Sequence, residues 1–462
     1  MKQKNGKQFP DAIIIIFTMS VLAALLTYIL PSGEYKRKFV GKIKEIIPDS
    51  FHVTPKHPTG IMDFFTAIPQ GLVESADIIF LVLIIGGAVA IIDSTGATYS
   101  GIQTLVEKTK GNQYILIITI TLLFGVMHQL GFSGNTVIAF IPIGIMLAKT
   151  LKLDAIVGVA IVYLGNFAGG AVGTFDPAIM GVAQRIAGVP LFSGAWYRII
   201  IFIVLIIVTM IYICWYTHKI NLDPSKSILK DNPFPVINKD SIQNYEKFNK
   251  QHFLIIMVFI GAIGVFLYGV FHYKWSVKEL SAIFIIASIL VAFVERITPN
   301  DFIKTFMEGV RKLAYGAIII GVARSIIVIF KDAHVLDTIT HAATAHIQDF
   351  PTTIGALAMF AFNWFFNILV SSGSGQASIV MPIMSPIGDM IGLTRQTTVL
   401  AFKLGDGITN IITPFSGVLM SVLAIGGIPW TKWLRFAFPL VLWWTLVGTI
   451  FLIIAVFINY GP

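Results

Sequence analysis

Ser371-Ser-Gly-Ser-Gly-Gln-Ala-Ser-Ile-Val-Met-Pro382, followed about 20 residues later by Lys403-Leu-Gly-Asp-Gly-Ile-Thr-Asn-Ile-Ile-Thr-Pro-Phe-Ser416, decides how this chain is read. The stretch has a twin. Phe132-Ser-Gly-Asn-Thr-Val-Ile-Ala-Phe-Ile-Pro142 leads to Leu164-Gly-Asn-Phe-Ala-Gly-Gly-Ala-Val-Gly-Thr-Phe-Asp-Pro177. A shift of about 240 residues lays Pro142 on Pro382, Leu164-Gly165 on Leu404-Gly405 and Phe175 on Phe415. Gly188-Val-Pro190 then falls within a residue of Gly427-Ile-Pro429. Hydrophobic segments interrupted at matching places in two halves point to the binding site of a secondary transporter.

Composition places those segments in a membrane. The chain has 462 residues, 56% hydrophobic and 12% charged, with mean hydropathy +0.81. Soluble domains carry about 25% charged residues. The apolar runs are about 18 to 22 residues long, enough to cross a hydrocarbon core of about 30 Å as helices. They do not alternate, which argues against a transmembrane barrel. The net charge of +9 reflects basic residues in short loops, as membrane topology requires, and not a nucleic-acid partner. Cys214 stands alone, so no disulfide framework or thiol metal site is expected.

The expected architecture is an all-α integral membrane protein with two inverted repeats, re-entrant hairpins and interrupted helices, built from roughly 10–13 hydrophobic helical segments. Residues 1–60 hold a retained first helix and a polar loop. Residues 61–217 form the first repeat and 218–252 a cytoplasmic linker. Residues 253–298 contain two linking spans, and 299–462 the second repeat. An N-terminus-inside orientation leaves about 19 Lys/Arg inside and about 12 outside. The repeats then begin on opposite faces, and the chain is expected to be multi-pass in a bacterial cytoplasmic (inner) membrane.

A helix that stops inside the membrane leaves N–H or C=O groups unpaired, so it survives only against protein or a wet cavity. A helix N-terminus facing that cavity suits a carboxylate, while carbonyls and Ser, Thr, Asn or Asp oxygens suit a cation. Pro142, Pro177, Pro382 and Pro414 stop the helical ladder from closing. Packing alone explains many Ser-Gly motifs, but two matched breaks at a constant shift favour binding over packing.

The pattern Ser-x-Asn-Thr, an apolar run, Pro-Ile, then Gly-Thr-x-x-Pro resembles the ion transporter superfamily, which includes the dicarboxylate/sodium symporters. Within it, Pro31-Ser-Gly-Glu-Tyr35, Ser372-Gly-Ser-Gly-Gln-Ala377 and Gly405-Asp406 through Thr413-Pro414 resemble the YfcC/DcuC branch of anaerobic C4-dicarboxylate carrier-like proteins. The resemblance implies hairpin tips near Ser133 to Thr136 and Ser372 to Gln376, and unwound helices near Gly173 to Pro177 and Thr413 to Gly417. It implies a solute and a coupling cation where each tip meets its unwound loop, and a homodimer. The second tip has neither the Asn nor the Thr of the symporter motif. The branch includes proteins assigned to basic amino acids as well as to dicarboxylates.

The expected solute-binding residues are Ser133, Asn135, Thr136, Gly173, Thr174, Asp176, Ser372, Ser374, Gln376, Asp406, Asn410 and Thr413. A coupling Na⁺ or H⁺ is expected near Asn135, Gly173, Ser374 and Asp406; no other cofactor is expected. Lys403 lies three residues before Asp406 on one helical face and is its expected charge partner; a structural ion pair is the competing reading. Asp176 reads as the counterpart of Asp406 or as a cap for the helix that follows. Asp389 and Arg395 flank the second hairpin. His128, Arg324 and Asp93 are further charged positions, although a lone His near a span end is more often a packed or capping residue.

These features imply a secondary active transporter for a small carboxylate-bearing metabolite, working by ion coupling or exchange. An amino acid such as arginine or ornithine gains from Asp406 and Asp176. A C4-dicarboxylate would be favoured if a basic residue such as Lys403 faced the cavity. A channel would need a continuous wet path and rings of like residues. An enzyme is not expected: no HExxH, Gly-x-Ser-x-Gly or Walker motif occurs.

Overall fold

The computed structural model describes residues 12–40, 43–47, 50–97, 100–101, 104, 112–129, 134–176, 179–230, 232–234, 248–273, 275, 277–345 and 347–461. These residues are nearly all helical. Five helices are apolar and long enough to cross a membrane: Ala76–Ser94, Ala195–Leu222, Leu313–Asp332 within a longer helix, Thr352–Leu369 and Trp430–Phe457. Six shorter apolar helices accompany them, within the expected range of segments. Outward-facing Leu25, Ile29, Trp215, Leu442 and Trp443 are more than half exposed. Such a surface suits acyl chains and not water.

Two helices form the centre. Every residue of Ala155–Gly170 is buried, and so is every residue of Gln396–Thr409 within the helix Arg395–Thr409. A helix buried on all faces must be covered on all sides, and the same cover is built around both. Gln113–Gln129 packs on Ala155–Gly170, as Thr352–Leu369 packs on Arg395–Thr409. The short helices then exchange partners between halves. Gly373–Met390 lies on Met180–Ala187, and Ile141–Thr150 on Gly417–Gly426. The long helices Ala195–Leu222 and Trp430–Phe457 pack on each other. The two halves therefore repeat in chain order and in contacts.

They differ at their entries. The first half enters through Ile61–Glu74 and Ala76–Ser94, bent at Ser75. The second enters through one continuous helix, Pro299–Asp332. Leu313-Ala314, good helix formers, stand where the first half has Ser75-Ala76. Sequence reading expected no structure in the loop after the first helix. It carries two short antiparallel pairings, Gly33–Glu34 with His52–Val53 and Arg37–Val40 with Ile43–Ile46. A further helix, Leu336–Ala345, follows the entry of the second half. The loop is tied to that helix by a two-pronged contact from Arg37 Nη2 to the Asp337 carboxylate at 2.7 and 2.8 Å. The expected linker at 218–252 begins inside Ala195–Leu222, and residues 231 and 235–247 lie outside the described residues.

Candidate functional site

Both central helices stop inside the protein, and each stop is sealed by other parts of the fold. After Gly170 the chain turns through Gly173, whose φ of +51° is strained for any residue with a Cβ. Gln129 seals this interruption: its Nε2 donates to Gly169 O at 2.8 Å and its Oε1 accepts from Thr174 N at 3.1 Å. After Thr409 the second interruption is sealed mainly at its carbonyls. Tyr163 Oη donates to Asn410 O at 2.9 Å, Trp433 Nε1 to Ile411 O at 2.8 Å and Trp430 Nε1 to Ile412 O at 2.9 Å. Ser371 Oγ donates to Phe415 O at 2.8 Å, which ties the hairpin break to the helix break. Buried main-chain groups without such partners would each cost several kcal/mol in lipid.

The two interruptions meet at an ion pair. Lys403 Nζ donates to Asp406 Oδ2 at 2.8 Å, with the side chains 2% and 0% exposed. A Cβ at Gly173 would come 2.8 Å from Lys403 Cε, and one at Gly373 would come 3.0 Å from Asp406 Oδ1. A glycine from each half therefore closes on one member of the pair. A Cβ at Gly407 would strike Ala171 Cα at 2.3 Å, so the helix ends themselves touch. Asn367 Nδ2 and Asn410 Nδ2 both donate to Asp406 O, at 2.8 and 2.9 Å. Asp406 Oδ1 has no hydrogen-bond partner among the described residues.

Beside the pair lies a cavity of about 350 Å³, walled by both halves. The first half contributes His128, Phe167, Gly170 and Ile179, and the second Ser371 to Ser374, Lys403, Asp406, Asn410 and Phe415 to Val418. Two helix starts open on it, Gly373 of Gly373–Met390 and Gly417 of Gly417–Gly426. Glu74, Asp77 and Arg324 complete the charged lining, with Arg324 Nε 3.3 Å from Glu74 Oε2.

The expected residues divide accordingly. Ser372, Ser374, Asp406 and Asn410 line the cavity, and Lys403 is the partner of Asp406. Gly173 touches that pair from behind. Thr174, Gln376 and Thr413 are buried in the seals and are not lining residues; Gln376 Nε2 donates to Asn363 Oδ1 at 2.9 Å, and Thr413 Oγ1 to Ile368 O at 3.0 Å. Ser133 lies outside the described residues, as do the side chains of Asn135 and Thr136, whose backbone belongs to the 3₁₀ turn Gly134–Phe140.

Asp176 is not the counterpart of Asp406. At the shift of about 240 it matches Ser416. The two act alike: Asp176 Oδ1 accepts from Ile179 N and Ser416 Oγ from Leu419 N, each at 3.3 Å, ahead of the helix that follows. The residue that matches Asp406 is Asn166. Arg395 and Asp389 form a surface ion pair at 2.9 Å, and Asp93 is exposed at the end of its helix. Glu74 was missed in the sequence, since it sits in a helix too mixed in character to read as part of a site.

The description of the C4-dicarboxylate anaerobic carrier family, DcuC, matches residues 9–457. The chain belongs to this family. It is a membrane carrier and not an enzyme. The carrier is 28% identical to a protein of Escherichia coli K12 described as a putative basic amino acid antiporter, YfcC, over 97% of this chain and 95% of that one. It is 26% identical to an uncharacterized protein of Haemophilus influenzae over 98% of both chains. Among solved structures it is similar to the Alcanivorax borkumensis YdaH transporter at 15% identity and a TM-score of 0.44, covering 98% of this chain and 100% of that one. It is also similar to Neisseria gonorrhoeae MtrF at 14% identity and a TM-score of 0.42, covering 98% and 96%.

Proposed function

We propose that this carrier is a secondary active transporter that exchanges a cationic amino acid, of the arginine or ornithine type, across the bacterial cytoplasmic membrane by alternating access. The observation that carries this reading is the charge around the cavity. Glu74, Asp77 and Asp406 line the cavity with Arg324 and Lys403, His128 counted neutral; Glu74 is held by Arg324 and by Lys331 from behind the lining, and Asp77 has no ion-pair partner among the described residues. A cationic group suits Asp77 and the unpartnered Asp406 Oδ1; a dicarboxylate suits neither. Lys403 does face the cavity, which by itself would favour a dicarboxylate, but its ammonium is held by Asp406. The name of the Escherichia coli relative, a putative basic amino acid antiporter, supports the same choice.

The solute carboxylate would meet the helix starts at Gly373 and Gly417 and the hydroxyls of Ser372 and Ser374. Its cationic end would meet Glu74, Asp77 and Asp406. Na⁺ fits this arrangement poorly at Asp406. Lys403 already occupies Oδ2, and protein donors take the carbonyls of Asp406 and of residues 410–412. A proton, or exchange without an ion, suits it better. The repeated pairing of helices between halves supports two repeats that rock about the shared pair; their inversion, a cytoplasmic N-terminus and a dimer are further parts of the proposal. The test is counterflow in proteoliposomes loaded in turn with arginine, ornithine, succinate, fumarate and aspartate, with and without Na⁺. Arginine and ornithine should exchange fastest, independently of Na⁺. Faster counterflow of succinate or fumarate would overturn the choice of solute.

A further inference from the structure

One titratable group in the cavity has no role in this scheme. His128, at the end of Gln113–Gln129, is buried to 3% exposure and lines the cavity. Its Nδ1 lies 2.8 Å from Asn166 Oδ1, so Nδ1 carries a proton and donates it. Its Nε2 has no hydrogen-bond partner among the described residues. The ring is held by shape as well. A Cβ at Gly170 would lie 2.6 to 3.0 Å from Cε1, Nε2 and Nδ1, so only glycine leaves room for the imidazole there.

We infer that His128 is the proton site of the carrier, and that a proton on Nε2 and a cationic solute exclude each other. The inference rests on the cationic-solute reading above. In the neutral ring Nε2 presents a lone pair. With Asp406 Oδ1 it makes one unpartnered acceptor from each half, both buried just behind the cavity lining, which suit the N–H donors of an ammonium or guanidinium once the wall opens to them. In the protonated ring Nε2 is a donor and the ring carries a charge that repels the same solute. The charged groups acting on the ring are Asp176 from the first interruption and Lys403 and Asp406 from the second central helix. Ala155–Gly170 brings Asn166 but no charge. Ala195–Leu222, packed on the same helix, brings Arg198, which is turned toward Tyr460 Oη at 3.1 Å and Thr174 O. Solute binding therefore expels the proton, and solute and proton cross in opposite directions.

The test uses the full chain in proteoliposomes with arginine as the probe. Uptake into vesicles with an acidic lumen should be several-fold faster than without a gradient, and a dye in the lumen should report alkalinisation. In His128→Gln, whatever exchange remains should be equal at about pH 5.5 and about pH 8, with no response to the gradient. If that variant is inactive, Asn166→Asp decides. A carboxylate at Nδ1 holds the ring proton, so acid inhibition should set in at higher pH by about one pH unit. An unmoved profile in Asn166→Asp, or a gradient response in His128→Gln equal to wild type, overturns the inference. Wild-type protein that exchanges arginine but ignores the gradient also overturns it and leaves the proposed function standing. Wild-type protein that exchanges no arginine overturns both.

Discussion

The two central helices have equivalent neighbours, and both stop inside the protein, yet their contents are opposite. Ala155–Gly170 is apolar and Gly-rich, with Asn166 its one amide. Arg395–Thr409 buries Gln396, Thr397, Thr398, Lys403, Asp406 and Thr409 in the same kind of setting. Architecture is duplicated and charge is not. The first copy supplies a wall and a fixed imidazole; the second supplies the ion pair. Polar residues buried in a membrane helix are costly and mark function, so the charge concentrated in the second copy makes its helix the one on which substitutions should act most strongly.

The largest effect should come from the charge. Asp406→Asn leaves the Lys403 ammonium buried without a counter-charge, which costs about 3–5 kcal/mol, and should abolish exchange. Combining it with Lys403→Met should restore much of the melting temperature, because replacing both members of a buried pair is often neutral, but not transport. A double variant that transports like wild type would reduce the pair to a structural role. Gly407→Ala tests the contact between the copies. Its methyl would meet the Ala171 backbone, which cannot swing aside, so a loss of about 2–3 kcal/mol is expected in thermal or denaturant melting.

Smaller effects should follow at the seal and the rim. Trp433→Phe keeps an aromatic ring, though a smaller one, and leaves Ile411 O unpaired; at least about 1–2 kcal/mol should be lost, with the solute ranking unchanged. Ser374→Ala should weaken apparent affinity several-fold in counterflow while stability stays within about 0.5 kcal/mol, since its side chain is exposed toward the cavity.

The breaks and their pairing were legible in the sequence because Gly, Pro and small polar residues cluster at them and the shift of about 240 residues repeats the clusters; Pro alone was a poor guide, since Pro382, expected to stop a helix, lies inside Gly373–Met390. Lys403 with Asp406 was legible for the same reason, a three-residue spacing on one helix. Which residues face the cavity was not. Gln376 and Thr413 carry polar groups at the breaks, as binding residues would, but spend them on Asn363 and on Ile368 O. Only tertiary packing separates a polar group that seals from one that binds. Of the two readings of Asp176, counterpart of Asp406 or cap of the helix that follows, the first matched chemistry without register and the second fits its bond from Ile179 N; strict register leads to Asn166, and through it to His128. Glu74 and Arg324 reach the cavity from helices far apart in the chain, which no local pattern reports.

The most direct measurement is solute protection of single cysteines placed in each half, in a Cys214→Ala background. Ile179→Cys and Ser374→Cys both stand on the cavity wall, one in each copy. Arginine should slow modification of both by a polar thiol reagent, with the same concentration dependence. Protection confined to one half, or to neither, in vesicles that still exchange arginine would contradict a single solute site shared by the two interruptions.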